Sequence, residues 1–183
     1  LNIFGFLYLG AIAGEEYATS GNNGILDIVE GLKWVKTNIA QFGGDPDNVM
    51  ICGESGGGYK TSILYGMPAA APYFNKASIE SGPGLRVNSL ETAAMVAELT
   101  LKELGIAKND WRKLFEVPAE QLFTIHGQMN NFLQGKALKK GERFGFAPVV
   151  DQVSLLAHPF VPAAPALSKE KPVMVGWNAD EYI

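Results

Sequence analysis

The sequence predicts an α/β fold with a mostly parallel sheet and helices on both faces. Short runs over 49–52, 76–80 and 172–176 have the length and the bounding turn residues of buried strands. Between them lie segments whose apolar residues recur at helical spacing, the longest over 25–40. Strands that alternate with helices indicate a parallel sheet, because helical crossovers cover both of its faces.

The elements before the first predicted strand are a strand end, a loop and a long helix. Residues 4–9 form an apolar run, which we interpret as the end of a strand. Residues 10–24 are rich in Gly, Glu and Asn and are predicted to be a loop that leads to a cap at Asn22 or Asn23. The helix over 25–40 is then expected to stop at the following Gly-Gly pair and Asp-Pro turn.

The strand over 49–52 runs into Gly53-Glu54-Ser55-Gly56-Gly57, and a helix is predicted directly behind this motif. A nucleophile elbow requires this context, since the sharp turn needs small neighbours and pushes the serine Oγ out above the sheet edge. The helix N-terminus also brings backbone N–H groups and positive dipole to where an oxyanion would form. The pattern therefore predicts Ser55 as a nucleophile and the N–H of Gly56 as an oxyanion donor.

The region behind the strand over 76–80 is predicted to be mainly helical. Its longest helix opens at a capping box formed by Asn88 and Glu91. Ser89 is the alternative cap, and Gly105 ends the helix. Further predicted elements are helices over 111–115 and 118–129 and an extended segment over 148–151.

Composition argues against several classes of function. The 183 residues carry a net charge of −4, which argues against nucleic acid or an anionic membrane as the main partner. The sequence contains no apolar run near the roughly 20 residues that a membrane span needs. Cys52 is the single cysteine, so an internal disulfide and a cysteine-based metal cage are both excluded.

The glycine-rich stretch over 53–61 also allows a nucleotide-binding interpretation. Gly53 to Gly58 matches the spacing of a phosphate-binding loop, and a lysine follows closely. That loop needs its lysine immediately after the last glycine, but Tyr59 stands there and the lysine is Lys60. One extra residue turns the lysine by about 100° around the helix, which argues against a phosphate site.

The motifs on both sides of the elbow resemble one known family. In chain order they are Gly5-Phe6-Leu7, Gly21-Asn22-Asn23-Gly24, Trp34 to Ile39, Phe42 to Pro46, the elbow, Ser81-Gly82, Pro148 to Asp151 and Asp180-Glu181. Together they resemble the type B carboxylesterases, the cholinesterase-like branch of the α/β hydrolases. The resemblance implies a partial α/β-hydrolase fold with a helical cap or insertion over 88–140. It also implies an enzyme that cleaves small-molecule esters without a metal or an organic cofactor.

The resemblance implies several further site residues. Glu181 occupies the position of the triad acid, although Tyr182 stands where the family normally has glycine, and Asp180 is the alternative acid. Glu54 would stabilise cationic intermediates and organise water, or would simply be a carboxylate favoured by the dipole of the following helix. Ser81 resembles a serine that supports the site after the next strand, or is a turn residue.

Neither histidine is predicted to be the catalytic base. His126 and His158 both precede Glu181, whereas the chain order of this fold is serine, acid and then histidine. The sequence around His126 differs from the His-Gly-Gly-Gly oxyanion motif, because Gln128 interrupts it. We expect both histidines to be structural or solvent-exposed.

The resemblance places Leu1 just after an early sheet strand and Ile183 just after the triad acid. We therefore interpret residues 1–183 as an internal fragment of one catalytic domain. Such a fragment would lack the triad histidine and part of the oxyanion hole, so we expect it to be inactive by itself.

A non-catalytic, cholinesterase-like adhesion or binding protein is the alternative function. Such relatives typically lose the nucleophile. The presence of both Ser55 and Glu181 favours an enzyme.

Overall fold

A computed structural model describes residues 1–133 and 145–181 of the chain. The chain forms two compact units, the first from Leu1–Gly24 with Val87–Val153 and the second from Ile25–Arg86 with Ser154–Ile183. Its helices are α1 (Asn2–Phe6), α2 (Gly10–Ala13), α3 (Asn23–Asn38), α4 (Gly56–Tyr65), α5 (Leu90–Glu103) and α6 (Ala119–Leu133). None of the helices in the described part of the chain combines the length and the hydropathy that crossing a bilayer demands.

The second unit contains a sheet of three parallel strands in the order β1-β2-β3. The strands are β1 (Met50–Glu54), β2 (Lys76–Glu80) and β3 (Val173–Gly176). The register pairs Glu54 with Glu80, and Glu80 with Gly176. The residues that follow β1 and β2 therefore lie at the same edge of the sheet. The predicted strands and their parallel arrangement are confirmed, with small shifts at the strand ends.

Helix α4 packs directly on β1 and β2 because its first turn has no side chains. A Cβ at Gly58 would lie 2.7 Å from the carbonyl oxygen of Glu80 and 3.0 Å from that of Gly53. Real Cβ atoms essentially never show a contact under 3.0 Å, so the distance to Glu80 alone excludes a side chain at this position. The helix is therefore held to the strand ends by backbone contact, which fixes the position of its N-terminus.

Tyr65, at the end of α4, fixes the irregular segment that leads to β3. Its buried hydroxyl lies 2.6 Å from the carbonyl oxygen of Ser168 and 2.7 Å from that of Lys171. The ring also stacks on Phe160, with 5.6 Å between the ring centroids. Lys171 in turn donates to the carbonyl of Phe74 and lies over its ring. These contacts lead the chain into β3 beside β2.

The long helix α3 and its termination agree with the prediction. Ile25, Val29 and Leu32 are buried at helical spacing along it. A short 3-10 turn follows and ends at Gly43, whose φ of 80° is left-handed and whose N–H donates to the carbonyl of Ala40. Glycine adopts this conformation without a steric cost, so the predicted stop is confirmed.

The first unit has its own apolar cluster and a buried polar network. Leu9, Leu101, Trp111 and Leu114 form the cluster. Asn22 forms the network, since its amide donates to the carbonyl of Val149 over 2.8 Å and to Asp151 over 3.0 Å. Its side-chain oxygen accepts from the N–H of Val149 over 2.9 Å. This asparagine therefore joins segments that are 127 residues apart in sequence.

Two predictions for the N-terminal segment were wrong. The predicted strand end over 4–9 begins instead within helix α1. Ile3 and Phe6 are buried and Phe4 is exposed, so burial follows a helical spacing. An apolar run this short fits either a strand or a buried helix. The predicted loop over 10–24 contains α2 and two 3-10 turns, although the following helix does begin at Asn23, as expected.

The elements after β2 are helical, as predicted, but their N-cap and their bounds differ from the prediction. Ser89, the alternative cap, is the N-cap of α5, and its Oγ accepts from the N–H of Thr92. The predicted capping box is therefore wrong. A 3-10 helix over Lys108–Glu116 and then α6 stand where two short helices were predicted. The extended segment over 148–151 forms a single parallel bridge through Val149. Of the helical cap or insertion predicted over 88–140, residues 134–140 lie outside the described residues.

Candidate active site

Ser55 stands at the sharp turn between β1 and α4. Its φ of 53° and ψ of −114° are unusual for a residue with a side chain, and such a conformation costs about 1–3 kcal/mol. Two backbone hydrogen bonds hold it. The N–H of Ser55 donates to the carbonyl of Glu80 over 2.9 Å, and its own carbonyl accepts from the N–H of Tyr59 over 3.0 Å. The strand, turn and helix that a nucleophile elbow requires are thus present, and Ser55 is exposed.

The glycines of the elbow differ in why they are needed. A Cβ at Gly53 would lie 2.3 Å from the carbonyl carbon of Gly57, so no other residue fits at the strand end. At Gly56 the nearest atom to a Cβ would be the Nζ of Lys60, at 3.7 Å, which is an ordinary contact. The first glycine is therefore a steric requirement of the turn, whereas alanine would fit after the serine.

The N–H of Gly56 is suited to bind a negative charge. Gly56 is the first residue of α4, and the first N–H groups of a helix have no partner within it. The helix dipole adds partial positive charge at the same end. Gly56 therefore can act as the oxyanion donor that the sequence predicts.

Glu181 is held by two donors that come from the ends of β2 and β3. The Oγ of Ser81 and the N–H of Asn178 both donate to its Oε1, the latter over 3.1 Å. Ser81 has a left-handed φ of 51°, and its own N–H donates to the carbonyl of Gly176 over 2.8 Å. The Ser81 hydroxyl first, and then the Asn178 N–H, hold the pKa of the Glu181 carboxyl below its ordinary value. Near neutral pH, Glu181 is therefore an ionised hydrogen-bond acceptor.

One cavity collects most of the predicted site residues. It has a volume of about 280 Å³ and is lined by Glu54, Ser55, Ser81, Asn178 and Glu181. A second cavity of about 250 Å³ shares part of this lining. The structure thus brings Ser55 and Glu181 into one cavity together with the two residues proposed to support them.

Three residues around these cavities were missed by the sequence analysis. Glu80, Trp177 and Asn178 all line the second cavity. Glu80 pairs with Glu54 in the sheet register, and Asn178 holds Glu181 through its backbone. Only the pairing of β2 with both neighbouring strands brings them to the site, so no local pattern could have identified them.

Neither histidine is among the described residues that line the Ser55 cavity. His126 lies in α6 of the first unit, near the rings of Phe123 and Phe146 at centroid distances of 6.3 and 5.7 Å. His158 lies in the irregular segment of the second unit that leads to β3. That neither histidine is the base stays a prediction.

Lys60, the lysine of the nucleotide-binding interpretation, folds back along α4. Its Nζ donates to the carbonyl of Gly56 over 3.1 Å. The ammonium group therefore contacts the first turn of its own helix. Within residues 1–133 and 145–181, the structure contains no group of three or more His, Cys, Asp or Glu residues that could hold a metal ion.

The Ser81 hydroxyl should stabilise the protein in a pH-dependent way. The folded-state pKa of Glu181 is lowered, so its ionised form contributes stability above the ordinary pKa of glutamate. This contribution is lost as the pH falls through the lower, folded-state pKa. Ser81→Ala removes the main cause of the shift and should therefore lower Tm at neutral pH.

Thermal unfolding of the wild-type and Ser81→Ala proteins at a series of acidic pH values measures this effect. The difference in Tm between wild type and Ser81→Ala should shrink as the pH falls below the ordinary pKa of glutamate. A difference in Tm that is the same at every pH would show that the hydroxyl does not act through the carboxylate.

Comparison with known proteins identifies the family of this chain. The model of the "Carboxylesterase family" matches residues 1–183. The para-nitrobenzyl esterase of Bacillus subtilis (strain 168) is 38% identical over 183 residues, which cover 99% of this chain and 35% of that protein. The cocaine esterase of Homo sapiens is 34% identical over 183 residues, which cover 100% of this chain and 30% of that protein.

Solved structures of esterases have a fold similar to that of this chain. A carboxylesterase of Geobacillus stearothermophilus has a TM-score of 0.83 at 42% identity, covering 100% of this chain and 37% of that one. A thermophilic para-nitrobenzyl esterase has a TM-score of 0.86 at 37% identity, covering 99% of this chain and 36% of that one. The chain spans about a third of the length of the curated relatives it matches. The chain belongs to the carboxylesterase family and has part of the α/β-hydrolase fold.

Proposed function

We propose that the complete protein hydrolyses carboxylic esters of small molecules through an acyl-enzyme on Ser55. One observation carries this proposal. Ser55 stands exposed at a strained strand-to-helix turn, in the same cavity as a carboxylate that two hydrogen bonds hold in place. A strained residue that the surrounding structure maintains is characteristic of a functional site. Membership of the carboxylesterase family supports the same reaction class.

Each residue of the site has one role in this reaction. Ser55 Oγ attacks the ester carbonyl, and the N–H of Gly56 stabilises the oxyanion that forms on the substrate. Collapse of this tetrahedral intermediate breaks the ester C–O bond, and the alcohol leaves with the proton that the base took from Ser55. Ser55 then stays acylated until water releases the acid. We assign the base to a histidine that follows Glu181 in the complete protein, as the chain order of this fold implies. Ionised Glu181 orients that imidazole and stabilises its cationic form after it has taken the serine proton.

Glu54 supports the second half of the reaction in this proposal. Glu54 lines the same cavity as Ser55 and is an exposed residue. From this position it can stabilise the imidazolium and organise the water that releases the acyl group. The favourable interaction of a carboxylate with the dipole of α4 would account for Glu54 without a catalytic role.

Steady-state hydrolysis by the complete protein tests the proposal. Para-nitrophenyl acetate, para-nitrophenyl butyrate and a para-nitrobenzyl ester are suitable substrates, since the last resembles the substrate named for a relative. We expect turnover of these esters and its loss after one equivalent of a fluorophosphonate has reacted. A folded, complete protein that neither turns over esters nor reacts with the probe would support the alternative of a non-catalytic binding protein.

A further inference from the structure

The turn after β2 is in direct contact with the backbone of Ser55. A Cβ at Gly82 would lie 2.2 Å from the carbonyl oxygen of Ser55, 2.8 Å from its carbonyl carbon and 2.9 Å from its Cα. These are the three nearest atoms, and none of them belongs to a side chain that could rotate away. Gly82 has no left-handed φ. Contact with Ser55, rather than backbone conformation, is therefore what requires glycine at this position.

The same turn also forms hydrogen bonds with the N–H of Ser55 and with Glu181. The carbonyl of Glu80 accepts from the N–H of Ser55 over 2.9 Å. Ser81, the next residue, donates its hydroxyl to Glu181. The turn over 80–82 thus contacts both the N–H and the carbonyl of Ser55. Between these two contacts, it also binds the carboxylate of Glu181.

The turn repeats the sequence of the elbow beside it. Glu-Ser-Gly occurs at 54–56 and again at 80–82, and the sheet register pairs Glu54 with Glu80. The two serines have nearly the same left-handed φ, 53° at Ser55 and 51° at Ser81. The elbow of Ser55 is therefore packed against a second Glu-Ser-Gly turn, and this contact opposes relaxation of the strained serine.

We propose that Gly82 is a positioning residue for the nucleophile and that the turn over 80–82 fixes Ser55 and Glu181 relative to each other. This inference rests on the proposed esterase function. A side chain at residue 82 has to displace the carbonyl of Ser55, and the Oγ moves with its backbone. A displacement of about 1 Å can cost on the order of a hundredfold in rate. Gly82 is not among the residues that line the two cavities at the site, so substrate binding should change less than catalysis.

Kinetics of Gly82→Ala in the complete protein test this role. We expect kcat for para-nitrophenyl butyrate to fall by about a hundredfold, with a much smaller change in KM. The rate of fluorophosphonate labelling should fall in parallel, because the probe reacts with Ser55 itself. Gly31→Ala is the matched control, since Gly31 lies in α3 and a Cβ at this position would meet no neighbouring atom within 4 Å. A folded Gly82→Ala protein with the kcat of wild type would overturn the proposal.

Two comparisons separate this inference from the proposed function. If Ser55→Ala is inactive and Gly82→Ala is fully active, only the positioning role fails. If wild-type turnover does not depend on Ser55, the proposed function fails, and the positioning role fails with it.

If Gly82→Ala does not fold, the Ser81→Ala variant tests the role of the turn instead. Loss of the hydrogen bond from Ser81 to Glu181 should lower kcat about tenfold. Unchanged kcat in Ser81→Ala would then contradict a role for the turn.

Discussion

Replacement of Ser55 by alanine should lower kcat for ester hydrolysis by about a millionfold in the complete protein. In the proposed mechanism the Oγ of Ser55 is the atom that becomes acylated, and alanine has no atom that can replace it. Alanine is close to serine in size and meets the same backbone strain at a φ of 53°. The fold should therefore be unchanged, and the loss should appear in kcat at constant Tm.

Thr37→Ala is a suitable control for this experiment. Thr37 is an exposed hydroxyl residue on α3, and its Oγ1 donates to the carbonyl of Lys33 within the same helix. Its removal should leave ester hydrolysis unchanged. Substantial hydrolysis by a folded Ser55→Ala protein would mean that another nucleophile carries the reaction.

Replacement of Glu181 by glutamine should lower kcat by about ten-thousandfold, the effect measured for the corresponding change in a well-studied serine protease. Glutamine has nearly the same shape as glutamate, so the hydrogen bond from Ser81 and the cavity can persist. The amide is neutral, however, and cannot stabilise an imidazolium cation as a carboxylate does. The loss should be smaller than that of Ser55→Ala, because the nucleophile and the oxyanion donor remain.

Asp180→Asn is the matched control for Glu181→Gln. Asp180 is the neighbouring carboxylate and the alternative acid from the sequence. We expect Asp180→Asn to retain most of the wild-type kcat, because the hydrogen bonds from Ser81 and Asn178 both go to Glu181. If Asp180→Asn lost most of its kcat and Glu181→Gln kept nearly all of it, the triad acid would be Asp180 and not Glu181.

The elbow could be predicted from sequence because the strand, turn and helix that define it are local. A strand, a turn with small residues and a helix occupy consecutive positions, so the context of Ser55 is readable from about twenty residues. The surrounding β strands were predicted for the same reason. The segment over 4–9 failed because a short apolar run does not distinguish a strand from a buried helix.

The hydrogen-bond partners of Glu181 could not be derived from local patterns. Ser81 and Glu181 are 100 residues apart in sequence, and only the parallel pairing of β2 with β3 brings them together. The resemblance to carboxylesterases suggested both residues but not their hydrogen bond. The contact between Gly82 and Ser55 is likewise a product of strand register. Register depends on how the strands pack, which the sequence of each strand does not specify alone.

The most direct test of the central claim is the identification of the acylated residue. The complete protein is mixed with para-nitrophenyl butyrate, quenched in acid during turnover, digested and examined by mass spectrometry. We predict a butyryl group on Ser55, and its absence from the Ser55→Ala protein treated in the same way. A butyryl group on a different residue, or rapid turnover without any acylated peptide, would contradict an acyl-enzyme on Ser55.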